Sequence, residues 1–401
     1  MPDRLREVPP TAGLPLRWRD FLPTSGPSLE AGLATLLHLP AAQIECSGTA
    51  ALIVTLTTLK RASTRRAVVI PAYTCPLVAL AIAYCDLKPV LCDLRKEHFD
   101  LCPQTLETVA GDDTLAIIPT HLGGRVADVV SVKKIALRVG ASVIEDAAQS
   151  LGATSQGKPV GTLGDAGFFS LAVGKGLTLY EGGVLVAREA RQRQLLHQTS
   201  KQIAPYRLTW ETRRLLELAG YAALYRPVGL RLVYGMPLRR ALKKNNLIEA
   251  VGDNFSTNIP VHRVGAWRRA IGAHALARLP SFLETLHEQA AARKTRLAAI
   301  PGVTVMDDPE GGRGTWPYLM VLMPTARARD AALARLWPAG LGVSRLFIHA
   351  LPDYSYLAGR FNNADVPHAR DFAARMLTLS NSPWLGESDF LRICAVLAEC
   401  A

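Results

Sequence analysis

The stretch Ile144–Ala187, IEDAAQSLGATSQGKPVGTLGDAGFFSLAVGKGLTLYEGGVLVA, decides how this chain is read. An apolar strand through Val143 and Ile144 ends in Asp146. Ser170 closes a second apolar run, and Lys175 follows in the turn Val173-Gly174-Lys175-Gly176. An acid emerging at a strand's carboxyl end sits where open α/β sheets bind ligands. An amine in an apolar, glycine-flanked turn loses its proton more readily than a solvated one and becomes a nucleophile. A hydroxyl between them supplies a donor for an anion. An acid, a hydroxyl and a reactive amine are what an enzyme needs to hold pyridoxal 5'-phosphate (PLP). The acid keeps the pyridine nitrogen protonated, the hydroxyl binds the phosphate, and the amine takes the aldehyde. The expected catalytic pair is therefore Lys175 and Asp146.

Several runs in register sharpen this reading. Asp146-Ala147-Ala148-Gln149, Gly164-Asp165-Ala166-Gly167-Phe168-Phe169-Ser170, the five-residue step from Ser170 to Lys175, and Glu181-Gly182-Gly183 follow one another. Together they resemble the DegT/StrS-type family of PLP-dependent sugar aminotransferases, with one residue more in the second run. The family is one of the fold-type I aminotransferases. The resemblance implies a large domain with a mainly parallel sheet wrapped by helices, then a smaller α+β C-terminal domain. It also implies glutamate as amino donor and a keto-sugar acceptor, most often nucleotide-linked. A further implication is a homodimer with its active site at the interface. Relatives that dehydrate instead carry histidine at the lysine position, and Lys175 argues against that variant.

Upstream, Cys46-Ser47-Gly48-Thr49-Ala50-Ala51-Leu52 resembles the family's Ser-Gly-Thr turn and opens a helix predicted over Ala50–Lys60. A helix start offers unpaired N–H groups and a positive dipole end, which suit a phosphate. Thr49 and the Ala50 N–H are thus expected to join Ser170 there. Gln149 is expected against the ring or its phenolic oxygen. After Val68-Val69-Ile70-Pro71, the chain reads Ala72-Tyr73-Thr74-Cys75-Pro76, with Cys75 where the family usually stacks an aromatic ring. Either Tyr73 takes over the stacking, or apolar contacts alone hold the pyridine. His121, in Ile118-Pro119-Thr120-His121-Leu122, reads either as a substrate contact or as a satisfied structural histidine. The resemblance implies a phosphate-binding asparagine from the partner subunit, for which Asn258 is the candidate. The matches thin out beyond Ala187, with Gly342–His349 and Thr378–Trp384 as the remaining similar segments.

The composition agrees with a large α/β enzyme. The chain has 401 residues, 49% of them hydrophobic, enough for a sizeable core in two domains. Seven cysteines without a C-x-x-C pair fit neither a disulfide framework nor a zinc site, so no metal is expected. No apolar run follows the charges of Met1-Pro2-Asp3-Arg4, so no signal peptide is expected and the cytoplasm is the expected compartment. Strands are predicted at Ala67–Pro71, Pro89–Asp93, Leu115–Pro119, Ser142–Asp146, Ala166–Ser170 and Gly183–Ala187. Helical patterns fall between several of them, including one capped by Asp128. The expected division is a PLP-binding domain over residues 1–259 and a small domain over 260–401.

One region stands apart. From Arg188 to Lys244 there are thirteen Lys/Arg against three acids, Glu189, Glu211 and Glu217. That local charge of +10 accounts for most of the chain's formal +12. Apolar residues are interleaved with it. Three readings stay open: a helical insertion packed on its own subunit or a dimer mate, a basic surface resting on an anionic membrane, or a dock for an acidic partner. Nucleic acid is not expected, because no DNA-binding motif accompanies the charge. Two alternatives to a soluble sugar aminotransferase follow. One is a PLP enzyme whose acceptor is lipid-linked or carrier-bound, and the other is a PLP-binding regulator without turnover.

Overall fold

A computed structural model describes residues 6–23, 26–361 and 364–401. The central sheet has seven strands: β1 (Gln43–Glu45), β2 (Ala67–Pro71), β3 (Lys88–Cys92), β4 (Thr114–Ile117), β5 (Ser142–Asp146), β8 (Ala166–Ser170) and β9 (Gly183–Ala187). Between β5 and β8 lies a short hairpin, β6 (Thr154–Ser155) and β7 (Lys158–Pro159). The sheet order is β1-β9-β8-β5-β4-β2-β3. Five strands, β8-β5-β4-β2-β3, pair in parallel, and β9 alone runs against the rest. The expected strands lie where their apolar runs stand, with ends shifted by a residue or two. β1 is the one absent from the sequence reading, because three residues of mixed polarity carry no periodic signal.

Helices cover the sheet. They include α1 (Leu29–Leu36), α2 (Gly48–Arg61), α3 (Pro76–Tyr84), α4 (Pro103–Val109) and α5 (Val129–Val139). The Asp128 side chain accepts the Ser131 N–H at 3.0 Å, so α5 starts where the cap predicted it; such caps contribute about 1 kcal/mol. A second sheet is built from β10 (Thr304–Val305), β12 (Tyr318–Leu322), β13 (Val343–Ser344) and β14 (Met376–Ser380), all antiparallel, in the order β10-β12-β14-β13. A third, small sheet joins β11 (Gly312–Arg313) to the β6–β7 hairpin.

Packing contacts run across the expected division at residue 259. Helices α6 (Ala190–Ile203), α7 (Leu208–Leu224), α8 (Pro227–Leu230), α9 (Met236–Lys243) and α10 (Leu247–Val251) lead to α11 (Ala266–Leu276). Ile271, Ala275 and Leu276 of α11 share one core with Leu14, Leu29 and Leu33. Arg268 is fully buried and makes a two-pronged pair with Glu211 at 2.7 and 2.8 Å, which ties α11 to α7. The first body thus extends to the start of α12 (Leu279–Ala298). At the other end, Val8 packs with the second sheet's core. The N-terminal segment crosses between the bodies: Val8 N–H bonds Gly340 O, Ala12 N–H bonds Pro317 O, and Leu14 N–H bonds Gly176 O.

Candidate active site

Asp146 ends β5, and its backbone is locked between Pro119 O and His121 N–H. Its side chain is buried and among the described residues accepts a single hydrogen bond, from the Ala148 N–H at 3.1 Å. Burial lifts its pKa to about 6, against the opposing pull of the Ala148 N–H and the charge of Lys175. A carboxylate so short of donors gains from any cation or N–H placed beside it.

Neighbouring Glu145 points to the opposite face, as strand alternation requires, and is saturated. Its carboxylate takes N–H groups from Gly161 (2.7 Å), Leu163 (2.5 Å) and Gly164 (2.6 Å), and His121 Nε2 at 3.0 Å. His121 Nδ1 accepts the Ala127 N–H at 3.0 Å, so Nε2 carries the proton toward Glu145. Both ring nitrogens are spent in a buried network. His121 is therefore structural, not a substrate contact.

Lys175 stands at the tip of a hairpin that prolongs β8 and β9. Leu171 N–H bonds Gly182 O at 2.7 Å, and Val173 N–H bonds Tyr180 O at 3.2 Å. Gly174 needs φ = 78°, and a side chain there would strike Thr11 Oγ1, so the sequence supplies glycine. Part of Lys175 remains accessible. Even so, the surrounding protein displaces enough water to hold its ammonium pKa below the usual range. Nearby Cys75 and Asp146 oppose that shift without reversing it.

Ser170 closes β8 beside the start of α2. Ser47 caps that helix and takes the Ala50 N–H at 2.9 Å. The Ala50 N–H is thus already used, which corrects its expected role. The Gly48 and Thr49 N–H groups precede the first intrahelical bond, Ala51 to Ser47, and are the ones left open. A Cβ on Gly48 would stand 3.4 Å from Ser170 Cβ, so the serine and the helix start share one cradle. Gly183 is required for it, because a side chain there would overlap the Ser47 carbonyl at 2.3 Å.

Tyr73 is not available to stack. Its ring lies edge-on to Phe347 and Phe372, with centroids at 5.6 and 5.3 Å. Its hydroxyl donates to Phe347 O at 3.1 Å and accepts the Phe347 N–H at 3.2 Å. Cys75 is the side chain from that turn nearest in effect to Lys175, and burial pushes its thiol up to about 12, which keeps it neutral. Gln149 Oε1 accepts from Gly123 N–H (2.7 Å) and Tyr318 Oη (2.9 Å), which fixes the amide and leaves Nε2 as a donor. Asn258 lies exposed in the loop after α10, with its backbone N–H on Ser256 Oγ.

Two contacts went unread in the sequence. Tyr225, at the end of α7, accepts the Gly13 N–H at 2.9 Å and donates to Thr11 O at 3.1 Å. Gly13 in turn packs against Lys175 O, and Leu14 N–H bonds Gly176 O, so helix α7 braces the lysine hairpin through the N-terminal segment. Glu181 gathers Arg214, Trp210 (3.2 Å) and His262 (3.5 Å) at the hairpin's return. Burial alone would raise the Glu181 pKa, but the His262 bond and the Arg214 charge bring it below the usual range.

The donor set fits PLP: an acid short of partners, an amine of lowered pKa, and an anion cradle at a helix start. Residues 24–212 and 242–398 match the DegT/DnrJ/EryC1/StrS aminotransferase family. The chain belongs to that family. It is an aminotransferase, and the recognised motifs carry over at the level of fold and reaction class. Among relatives, the GDP-perosamine synthase of Caulobacter vibrioides is 27% identical over 338 residues, covering 83% of this chain and 78% of that protein. The UDP-N-acetyl-3-dehydro-alpha-D-glucosamine 3-aminotransferase of Acidithiobacillus ferrooxidans is 34% identical over 171 residues, 42% of this chain and 46% of that one. In fold, the chain is similar to DesI, solved with its TDP-sugar product (TM-score 0.74, 22% identity, 99% and 93% covered). It is equally similar to the sugar aminotransferase Spr1654 of Streptococcus pneumoniae in its PLP form (TM-score 0.74, 17% identity, 98% of each chain covered). Residues 213–241 fall outside the family match.

Proposed function

We propose that this chain is a PLP-dependent aminotransferase that moves an amino group from glutamate to a keto-sugar carried on a nucleotide diphosphate. The observation that carries the reading is the meeting of Lys175, Asp146 and Ser170 at one end of the sheet. Bound PLP would supply the electron sink that lets a C–H bond beside nitrogen ionise. Ser170, Thr49 and the Gly48 and Thr49 N–H groups would hold its phosphate, Asp146 its ring nitrogen, and Gln149 Nε2 its phenolic oxygen. Lys175, its pKa lowered by burial, would be available as a neutral amine to hold the cofactor and to move a proton at its Nζ. The Asp146 carboxylate would hold the ring nitrogen of bound PLP in its protonated form, gaining the partner that burial denies it.

The names of the relatives support a nucleotide-linked sugar as acceptor. A homodimer is the expected unit, with the exposed Asn258 reaching the partner's phosphate site. The test is to load the enzyme with amino groups from glutamate, then offer a keto-sugar with and without its nucleotide diphosphate. Discharge by the nucleotide-linked sugar alone supports the reading; equal discharge by the free sugar removes the nucleotide from it. A second reading keeps the chemistry and puts the acceptor on a lipid carrier. Residues 213–241, lying outside the family match and braced against the lysine hairpin, favour it.

A further inference from the structure

Residues 213–241 form a piece with two unlike faces. Its inner face is bolted down. Tyr225 holds Thr11 and Gly13, Arg239 pairs with Glu7 at 2.8 Å, and Leu218, Tyr221, Leu230 and Leu238 are buried. Its outer face has no partner among the described residues. Leu216, Val228, Leu232 and Val233 are each more than half exposed, and Leu224 and Met236 are more than a third exposed. Val228, Leu232 and Met236 recur every four residues along the helical run from Pro227 to Lys243, so they make one ridge. A π turn at Arg231–Gly235 keeps Val233 outside as well.

Charge says what covers this ridge. Arg226, Arg231, Arg240, Lys243 and Lys244 have no ion pair or side-chain hydrogen bond among the described residues. The nearby acids are already used: Glu211 by Arg268, and Glu217 by Arg213 and Arg214. A two-fold contact between copies through this face would set these cations against themselves, which a symmetric interface cannot relieve. Aliphatic side chains ringed by unpaired cations instead match an anionic bilayer, with acyl chains under the ridge and headgroups around it. Among the described residues no helix is long and apolar enough to cross a membrane, so the contact is one of lying on the surface.

We propose that residues 213–244 dock the enzyme on an anionic membrane surface, with Val228, Leu232 and Val233 entering the lipid and Arg226, Arg231 and Arg240 meeting headgroups. This surface is independent of the identity of the amino acceptor. The test is sedimentation of the full-length, PLP-loaded enzyme with phosphatidylcholine vesicles and with vesicles containing roughly one-third phosphatidylglycerol. Retention is expected on the anionic vesicles only, weakened by salt at about 0.5 M. Val228→Glu/Leu232→Glu/Val233→Glu should weaken it at least about tenfold, and Arg226→Gln/Arg231→Gln/Arg240→Gln by a similar factor. Both variants should keep the visible absorption of the lysine-bound cofactor and its response to glutamate, which reads the reaction separately from docking. No retention on anionic vesicles, equal retention on both kinds, or unchanged retention of the variants overturns the proposal. So does a wild-type oligomer that the glutamate variant breaks into smaller species, since a second copy would then be the occupant.

Discussion

The lysine hairpin and the 213–241 insertion break the ordinary rules of burial in opposite directions. At the hairpin, polar groups are kept where water is scarce: Asp146 has one donor, and Lys175 is held below its usual pKa. On the insertion, apolar groups are kept where water is plentiful. Both arrangements cost stability in the isolated chain, and both are repaired by something that binds. The comparison teaches where to look. A strained polar group points to a small charged ligand, and an exposed greasy ridge with unpaired cations points to a surface.

The largest expected effect lies on the hairpin side. Lys175→Ala should lower transamination by at least about a thousandfold, because nucleophile and proton carrier go together. The fold should persist, as checked by circular dichroism and steady-state kinetics. Asp146→Asn should cost about a hundredfold in turnover. Its effect on the cofactor-free protein should have the opposite sign. The Asp146 pKa is raised in the folded state to about 6, so folding disfavours its ionised form, and stability falls as pH rises from about 4 to 6. The asparagine variant should therefore be more stable than wild type at neutral pH, by up to about 3 kcal/mol, and the gap should close toward pH 4. Urea unfolding of both proteins across that range reads it directly; a gap that widens on acidification would refute the sign.

Glu145→Gln probes the saturated neighbour. It should destabilise by about 2–4 kcal/mol, because an amide NH2 faces N–H donors, while the pH profile of turnover stays in place. Tyr225→Phe should have the smallest effect, about 1–2 kcal/mol in stability, by leaving the Gly13 N–H without its partner. Turnover should fall with it if the insertion braces the hairpin. An unchanged rate would show that α7 is only attached there.

Much of the fold was legible because its strands are short, fully apolar runs with their turns marked by Gly, Pro and Asp. Asp146, Ser170 and Lys175 stand out in the sequence for a related reason, since one contiguous segment carries all three. What remained hidden depends on distant partners. Whether Tyr73 stacks over the lysine or supports Phe347 is decided 274 residues away. The Ala50 N–H looked open until Ser47 was seen to fold back on it. His121 carried both readings, and only Glu145 and Ala127 on its two nitrogens separate them. That Arg268 and Glu211 pair across residue 259 could not be read from either segment alone. The composition of 188–244 did announce an unusual segment. Its division into a bolted face and a free one belongs to the packing alone.

The central claim is that Lys175 and Asp146 together run PLP chemistry on glutamate. The visible absorption spectrum of the purified enzyme with PLP, before and after glutamate, tests it most directly. The account predicts a lysine-bound cofactor band that glutamate converts to the absorption of the amine form, and no such band in Lys175→Ala. A wild-type protein that takes up PLP without that band, or a Lys175→Ala variant that keeps it, would contradict the account.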